Sequence, residues 1–205
     1  YYNKDIFEEA GLDPEKPPTN YSEFEEIANT IVEETDKQAF HPSPYGQYNR
    51  AVIGHLAQAG ASTLNEDKTG AGFDNEDGYR LGRFYRDIAE NGWDKADSTA
   101  NRGNKAFRAG DLAMIVNGTW YQILLREENV NFGHGKGFII PDRQQKKNWG
   151  DTHIINLPKQ GGLSDSEIQT RVDAIEWITQ EGASIWGGDA GHIPTTTAAI
   201  ESDAV

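Results

Sequence analysis

The segment Lys105–Gln122 constrains the fold more than any other part of the chain, and its sequence is KAFRAGDLAMIVNGTWYQ. It predicts a helix end over 105–109, a Gly-Asp turn, a short apolar strand over 112–116 and a loop that presents Trp120. Open α/β sheets place ligands at the carboxyl ends of their strands, which is where such a loop lies. Trp120 and Tyr121 have broad faces with a polar edge, and these suit the flat apolar face of a sugar ring. Taken alone, the segment fits a tryptophan in the protein core equally well.

The alternation of short apolar strands and helices along the rest of the chain favours an α/β fold. Helices are predicted over 4–10, about 20–34, 49–59, 78–91, 122–128 and 168–179, and further strands over 1–3, 38–40 and 154–157. Gly11 ends the first helix, and a capping box from Ser164 to Glu167 begins the last. The 205 residues contain no internal repeat and fit one large domain or two small ones.

Four stretches of the chain together resemble a known family. The first is the mid-chain motif AFRAGDLAMIVNGTW, and the others are YYNKDIFEEAGL at 1–12, GDTHIINLPKQ at 150–160 and GHIPTTT at 191–197. In their order along the chain, they resemble the type 1 extracellular solute-binding proteins of ABC importers, a family that carries sugars and oligosaccharides. The last three stretches are similar to the family's three crossings between its two lobes, and the resemblance covers nearly the whole chain.

The resemblance implies an α/β, periplasmic-binding-protein-like (type II) lobe with a central mixed sheet flanked by helices, incomplete relative to the two-lobed family. Residues 1–149 would form the second, C-terminal-type lobe. Residues 150–190 would return to the first lobe, and 191–205 would cross back. The implied function is an extracellular subunit that captures a sugar or oligosaccharide between the lobes and delivers it to membrane permease subunits. The subunit would be a monomer without a cofactor, and ligand would shift it from an open to a closed form.

Loop ends supply the residues expected to bind the ligand, because sugars are bound by aromatic faces and planar hydrogen-bonding groups. By the resemblance, the loop over 41–48 and the segment after Gly150 face the ligand. The predicted ligand-binding residues are Trp120, Tyr45, Gln47, Tyr48, Asn117, Tyr121, Asp151 and His153. Tyrosines that merely clamp the 41–48 loop are an alternative. A core or hinge role fits His153 and His192 as well as a place in the cleft.

Acidic residues outnumber basic ones by 33 to 19, which gives a net charge of −14 at pH 7. They are dispersed along the chain and therefore predict a solvated acidic surface. Such a surface repels phosphates, so nucleic acids and anionic membranes are excluded as partners. Dispersed acids with few lysines favour a halophilic source, in which salt screens the self-repulsion. An acidic protein from a mesophile is the alternative.

The termini and the absent cysteines bear on where the protein acts. Without cysteine there is no disulfide and no cysteine-based metal site or nucleophile. No window is as apolar as a membrane-spanning helix. The chain begins at Tyr1 without a methionine, inside a predicted strand. We therefore expect a piece of an exported, extracellular or cell-surface protein, whose export signal and any lipid anchor precede this segment.

Motifs for catalysis or metal binding are weak, and we predict no catalytic residue and no metal. The five histidines form no i, i+4 pair, and the sequence has neither HExxH nor GxSxG. The segment 65–76 nearly matches a calcium loop, but it starts with asparagine and has Gly72 at the apolar position, which favours a hairpin turn. GHGKG at 133–137 lacks the order of a phosphate loop. Two alternatives remain: a secreted carbohydrate-active enzyme fragment with a carboxylate pair, and a binding protein for a non-sugar solute.

Overall fold

The computed structural model describes residues 1–42, 48–95, 101–135, 147–148, 150 and 152–202, without the side chains of residues 48 and 49. The chain divides into two compact units. Unit 1 consists of Tyr1–Asn117 and Glu128–Gly150, and unit 2 consists of Gly118–Glu127 and Asp151–Val205. The segment that carries Trp120 therefore belongs to unit 2, although the residues on both sides of it belong to unit 1.

In the described part of unit 1, four short strands form one mixed sheet. They are β1 (Tyr2–Asn3), β2 (Gln38–His41), β3 (Leu112–Ile115) and β4 (Phe132–Gly133), in the order β2-β3-β1-β4. β2 and β3 run parallel, with Phe40 opposite Met114, whereas β1 is antiparallel to both β3 and β4. The mixed sheet with its flanking helices confirms the predicted fold class.

Three of the five helices described in unit 1 begin at an asparagine whose side chain caps the helix. The five helices are α1 (Lys4–Glu9), α2 (Tyr21–Glu34), α3 (Tyr48–Ala59), α4 (Glu76–Glu90) and α5 (Arg102–Arg108). Asn20 Oδ1 accepts the backbone N–H of Glu23 at 2.9 Å, and Asn75 Oδ1 accepts that of Gly78 at 3.1 Å. These bonds satisfy donors that a helix start leaves unpaired. Past the end of α1, Gly11 adopts a φ of +74°, which favours glycine.

The core of unit 1 is built around buried aromatic rings from α2, β2 and the segment after α4. Phe24 meets Phe40 edge to face at a centroid distance of 5.1 Å, and meets Trp93 in the same way at 5.3 Å. Edge-to-face pairs add to the stability that burial of the rings provides. The Trp93 indole N–H, which would otherwise be buried without a partner, donates to Asn29 Oδ1 at 2.8 Å.

The segment over 64–71 forms the predicted hairpin turn and not a calcium loop. Leu64 pairs with Ala71 in an antiparallel bridge. Asn65 Oδ1 accepts the backbone N–H groups of Thr69 and Gly70 at 2.9 and 3.1 Å, so this oxygen closes the turn. Across the described ranges, no group of three or more histidine, aspartate or glutamate side chains is arranged to hold a metal ion.

Unit 2 is helical in its described part. Its helices are α6 (Tyr121–Glu127), α7 (Asp165–Thr179), α8 (Ala183–Gly188) and α9 (Thr197–Ile200). α7 begins with the predicted capping box: Glu167 Oε2 accepts the Ser164 N–H at 2.8 Å, and Ser164 Oγ accepts the Glu167 N–H at 3.4 Å. No helix in the described residues combines the length and the apolar character needed to cross a membrane.

The strand predicted over 154–157 is wrong for the described structure. Residues 152–160 have no regular secondary structure, and Ile154 is 77% exposed. A strand requires a neighbour to accept and donate its backbone hydrogen bonds. None of the described residues pairs with this segment. Likewise α7 buries none of its residues, and Ile168, Val172 and Ile178 lie exposed on it. Unit 2 therefore presents a large apolar surface.

Candidate functional site

Four aromatic side chains come together in unit 2: Trp120, His153, Trp186 and His192, here called the four-ring cluster. The imidazole of His192 stacks on Trp186, with centroids 4.6 Å apart and planes at 15°. It also stacks on Trp120, at 5.5 Å and 27°. His153 meets Trp186 and His192 edge to face, at 5.8 and 5.3 Å. The structure therefore brings together two residues that the sequence predicts for the site, Trp120 and His153.

Two glycines allow the rings to approach one another. A Cβ on Gly118 would overlap the six-membered ring of Trp120, so the indole lies against the glycine backbone. Gly191 has a φ of +67°, and a Cβ there would lie 3.2 Å from both Trp120 Cα and Thr119 O. The backbone N–H of His192 then donates to Trp186 O at 3.4 Å. The glycines thus bring the chain on either side of the stack into contact.

The two indoles of the cluster remain partly accessible. Trp120 is 38% exposed and Trp186 is 48% exposed, so neither ring is sealed in the protein interior. Exposed indoles offer apolar faces, and imidazoles offer hydrogen-bonding nitrogens at their edges. This combination of chemical groups is the one that binds sugars and other polyols.

The electrostatics of the cluster favour an uncharged His192. Burial lowers the pKa of His192 below its ordinary value, and the positive charge that His153 can carry lowers it further. Both effects disfavour the charged imidazole. At pH 7 the ring is therefore neutral, with one nitrogen that donates and one that accepts a hydrogen bond. A neutral imidazole can match a hydroxyl group, which also donates and accepts.

Two other predicted ligand-binding residues that the structure describes, Asn117 and Tyr121, are not among the four rings of the cluster. Asn117 belongs to unit 1, where its Nδ2 donates to Oδ1 of the buried Asn104 at 2.8 Å. Tyr121, the first residue of α6, is only 2% exposed. Tyr48 begins α3, and its side chain lies outside the described structure. Three further predicted residues lie outside the described residues altogether: Tyr45, Gln47 and Asp151.

A buried polar network lies at the carboxyl end of β2 in unit 1. His41 Nδ1 is 2.7 Å from Asp94 Oδ2, and the Arg102 guanidinium bonds to the same carboxylate. Arg102 also donates to Gln38 Oε1 at 2.5 Å. Because these groups bond to one another and His41 is almost fully buried, the network holds the strand end in place and presents little polar surface to a ligand.

Sequence reasoning missed Trp186 as a site residue and did not assign His192 to the site. Trp186 lies in a short helix that has no recognisable binding motif. His192 stands in the GHIPTTT stretch, which carries the family resemblance, but the sequence does not show that its ring lies against Trp120. Only the folded backbone, with Gly191 in a left-handed conformation next to Thr119, brings these distant segments together.

Comparison with known proteins assigns the family. A family model described as bacterial extracellular solute-binding protein matches residues 1–205. The chain belongs to this family. The sn-glycerol-3-phosphate-binding periplasmic protein UgpB of Pectobacterium atrosepticum is 23% identical over 209 residues, covering 98% of this chain and 47% of that protein. The UgpB protein of Brucella melitensis is 22% identical, with the same coverage. This member of the family thus spans about half the length of the curated relatives it matches.

Solved structures of similar proteins share the fold. The cyclic alpha-maltosyl-1,6-maltose binding protein of Arthrobacter globiformis has a TM-score of 0.70 and 23% identity, over 98% of this chain and 52% of its own. UgpB of Mycobacterium tuberculosis, solved in complex with glycerophosphocholine, has a TM-score of 0.74 and 18% identity, over 99% of this chain and 50% of its own. At these identities the likeness establishes the fold that this solute-binding protein adopts.

Proposed function

We propose that the chain is part of an extracellular solute-binding subunit of an ABC importer, which captures a sugar or oligosaccharide between two lobes and delivers it to the membrane permease. Membership of the solute-binding family supports the importer role, and relatives named as binding proteins for maltose-type sugars support the ligand class. The observation that carries the choice of site is the partly exposed indole of Trp120 within the four-ring cluster.

The proposed capture needs no chemical reaction. An indole face packs against the C–H groups of a sugar ring, and the imidazole nitrogens exchange hydrogen bonds with its hydroxyl groups. A ligand that contacts both lobes at once favours the closed form over the open form. The size of this effect is set by the difference between the ligand's affinities for the closed and the open form. The permease would recognise the closed form. The family and the ring chemistry thus favour binding over catalysis, so we propose no catalytic residue.

We also propose the lobe assignment in which residues 1–149 form the second lobe, 150–190 return to the first, and 191–205 cross back. The exposed apolar side chains of unit 2 support it, among them Ile154 and the α7 residues Ile168 and Val172. Apolar surface of this extent is usually covered by a neighbouring structure. The relatives are about twice as long, and the rest of a first lobe would cover the apolar surface of unit 2.

Relatives named as periplasmic support an exported protein, which we propose acts as a monomer.

A thermal-shift screen tests the proposed function. The full-length protein that contains this chain is heated in molar salt, which screens the −14 charge of the chain, with maltose, maltotriose, sn-glycerol 3-phosphate or glycerophosphocholine. A ligand at a hundred times its Kd stabilises the folded protein by about 2.7 kcal/mol, which raises the Tm by several degrees. We expect the rise with a maltose-type sugar. A rise with the phosphate esters alone would contradict the sugar assignment, and release of free glucose would favour an enzyme.

A tryptophan variant then tests the site. Trp120→Ala should abolish sugar-induced quenching of tryptophan fluorescence while the far-ultraviolet circular dichroism spectrum stays unchanged, because the ring is partly exposed. Trp177→Ala is the matched control: this indole is 57% exposed on α7, outside the four-ring cluster. Unchanged sugar affinity in Trp120→Ala would remove this residue from the site, and an equal loss in both variants would indicate a general effect on unit 2.

A further inference from the structure

The four-ring cluster contains a feature that sugar stacking alone does not require. The imidazole of His192 stacks on both indoles, on Trp186 at 4.6 Å and 15° and on Trp120 at 5.5 Å and 27°. We call Trp120, His192 and Trp186 the ring stack. The orientation of the Trp120 indole is therefore set in part by a titratable ring, and that ring has a second imidazole, His153, edge to face at 5.3 Å.

We propose that His192 is a positioning residue for Trp120, and that the ring stack holds the indole ready for ligand only while the imidazole of His192 is neutral. The statement about ligand rests on the proposed function. The statement about the ring stack rests on the geometry of unit 2 and is measurable without any ligand.

Acid disfavours the ring stack for two physical reasons. A neutral imidazole packs flat on an indole at little cost in solvation, whereas a protonated one must give up part of its hydration to stay there. A proton on both histidines would also place two positive charges about 5 Å apart, since their rings meet edge to face. Cation–π attraction to the indoles acts in the opposite direction. Burial and the charge of His153 both lower the pKa of His192, and we take these two effects to be the larger ones.

The surroundings of His192 single out His153 as the group that matters. The elements around the ring stack are the segment 152–160, α6, and α8 with the turn that follows it. Their charged and titratable groups in the described structure are His153, Lys159, Tyr121, Arg126, Glu127 and Asp189. Of these, His153 is the one whose charge lowers the pKa of His192. Asp151, two residues before His153 in the sequence, lies outside the described residues. His153 is therefore the residue to change when the effect of a neighbouring charge on His192 is tested.

The first experiment follows the histidine Hε1 resonances of the 205-residue chain by NMR from pH 8 to pH 4.5. Ring currents from two stacked indoles displace the His192 resonance, and we expect this displacement to vanish as His192 becomes protonated. In His153→Gln the neighbouring charge is gone, so the midpoint for His192 should move to higher pH. A displacement that persists in protonated His192, or a midpoint that does not move in the variant, would overturn the proposed role of the charge.

The second experiment measures the maltose affinity of the full-length protein by tryptophan quenching at pH 7.5 and pH 5. We expect the wild-type protein to lose affinity at pH 5 by about fivefold or more, and His192→Phe, whose flat ring cannot be charged, to have the same affinity at both pH values. His192→Ala should bind maltose more weakly at both. The control His134→Phe, in unit 1, should keep the wild-type pH dependence.

The outcomes separate this proposal from the proposed function. If His192→Phe keeps the wild-type pH dependence, or His192→Ala binds as well as wild type, His192 does not position the indole. If the full-length protein binds neither maltose nor the other probes at any pH, the proposed function fails. The NMR titration then still decides whether the ring stack opens when His192 is protonated.

Discussion

Gly118→Ala perturbs the site without changing any residue that would touch the ligand. A Cβ at this position would lie 2.1–2.3 Å from the carbons Cη2, Cζ3 and Cζ2 of Trp120, whereas ordinary contact begins at 3.4 Å. The indole must therefore retreat by more than 1 Å. The backbone tolerates alanine there, because Gly118 is not among the residues with positive φ. The atoms that would clash are at the far end of a side chain, so we expect the ring to move and the fold to stay intact.

The expected loss of maltose affinity in Gly118→Ala follows from the aromatic stacking that is lost. Aromatic pairs contribute about 0.5–1.5 kcal/mol beyond the area they bury, which corresponds to roughly a two- to tenfold change in an equilibrium constant. In Gly118→Ala, maltose affinity measured by tryptophan quenching should fall by this factor. The His192 Hε1 resonance should lose part of its ring-current displacement, since the Trp120 indole no longer lies 5.5 Å from it.

The matched control is Gly150→Ala, since a Cβ at Gly150 meets no atom of the described residues within 4 Å. It should leave the affinity, the His192 resonance and the Tm unchanged. If Gly118→Ala behaves like Gly150→Ala in all three measurements, the indole is not held against the glycine, and the reasoning about the ring stack fails. If Gly118→Ala unfolds the chain, the expectation that only the ring moves is refuted.

Three further predictions concern stability. Burial lowers the pKa of His55 to about 4, so stability should fall as pH drops from about 6.5 to about 4, where the unfolded chain binds the proton and the folded chain does not. The free energy of unfolding should fall by about 3 kcal/mol over this pH range. Urea unfolding measures this loss, which should be smaller in His55→Gln. Asn117→Ala removes one hydrogen bond of the buried Asn104 and should cost about 0.5–1.5 kcal/mol in the same assay. Gly82→Ala, in the exposed interior of α4 with nothing within 4 Å, should raise stability by about 0.5–1 kcal/mol.

Local signals in the sequence predicted most of the fold. The cap residues Asn20 and Ser164 and the glycine stop at Gly11 are decided by a few neighbouring residues, and the helices begin and end close to the predicted positions. The strand over 154–157 was wrong because a strand depends on a partner. An apolar run such as Ile154-Ile155 indicates that a segment is able to form a strand, but the strand with which it would pair lies elsewhere in the fold.

The candidate site was predictable only in part. Trp120 and Tyr121 are neighbours in the sequence and were both assigned to the ligand, but consecutive residues at a helix start point about 100° apart. One side chain therefore faces outward while the other is buried. The contacts of His192 with Trp120 and Trp186 include one between segments far apart in the chain, and a single sequence carries no signal for such a pairing. The roles of the remaining predicted residues stay predictions.

The position of β1 in the sheet of unit 1 has a kinetic consequence. This strand lies between β3 and β4, so Tyr2 pairs with Met114 and Gly133. The strands that pair with β1 are joined to it by very long stretches of chain. Bringing such distant segments together costs conformational entropy before any strand pairing stabilises them. Refolding of this unit should be limited by that search and take milliseconds to seconds, with the sheet completed in one late step. The helices α2 and α4 would form before that step, so mutations in them should change the refolding rate more than the unfolding rate.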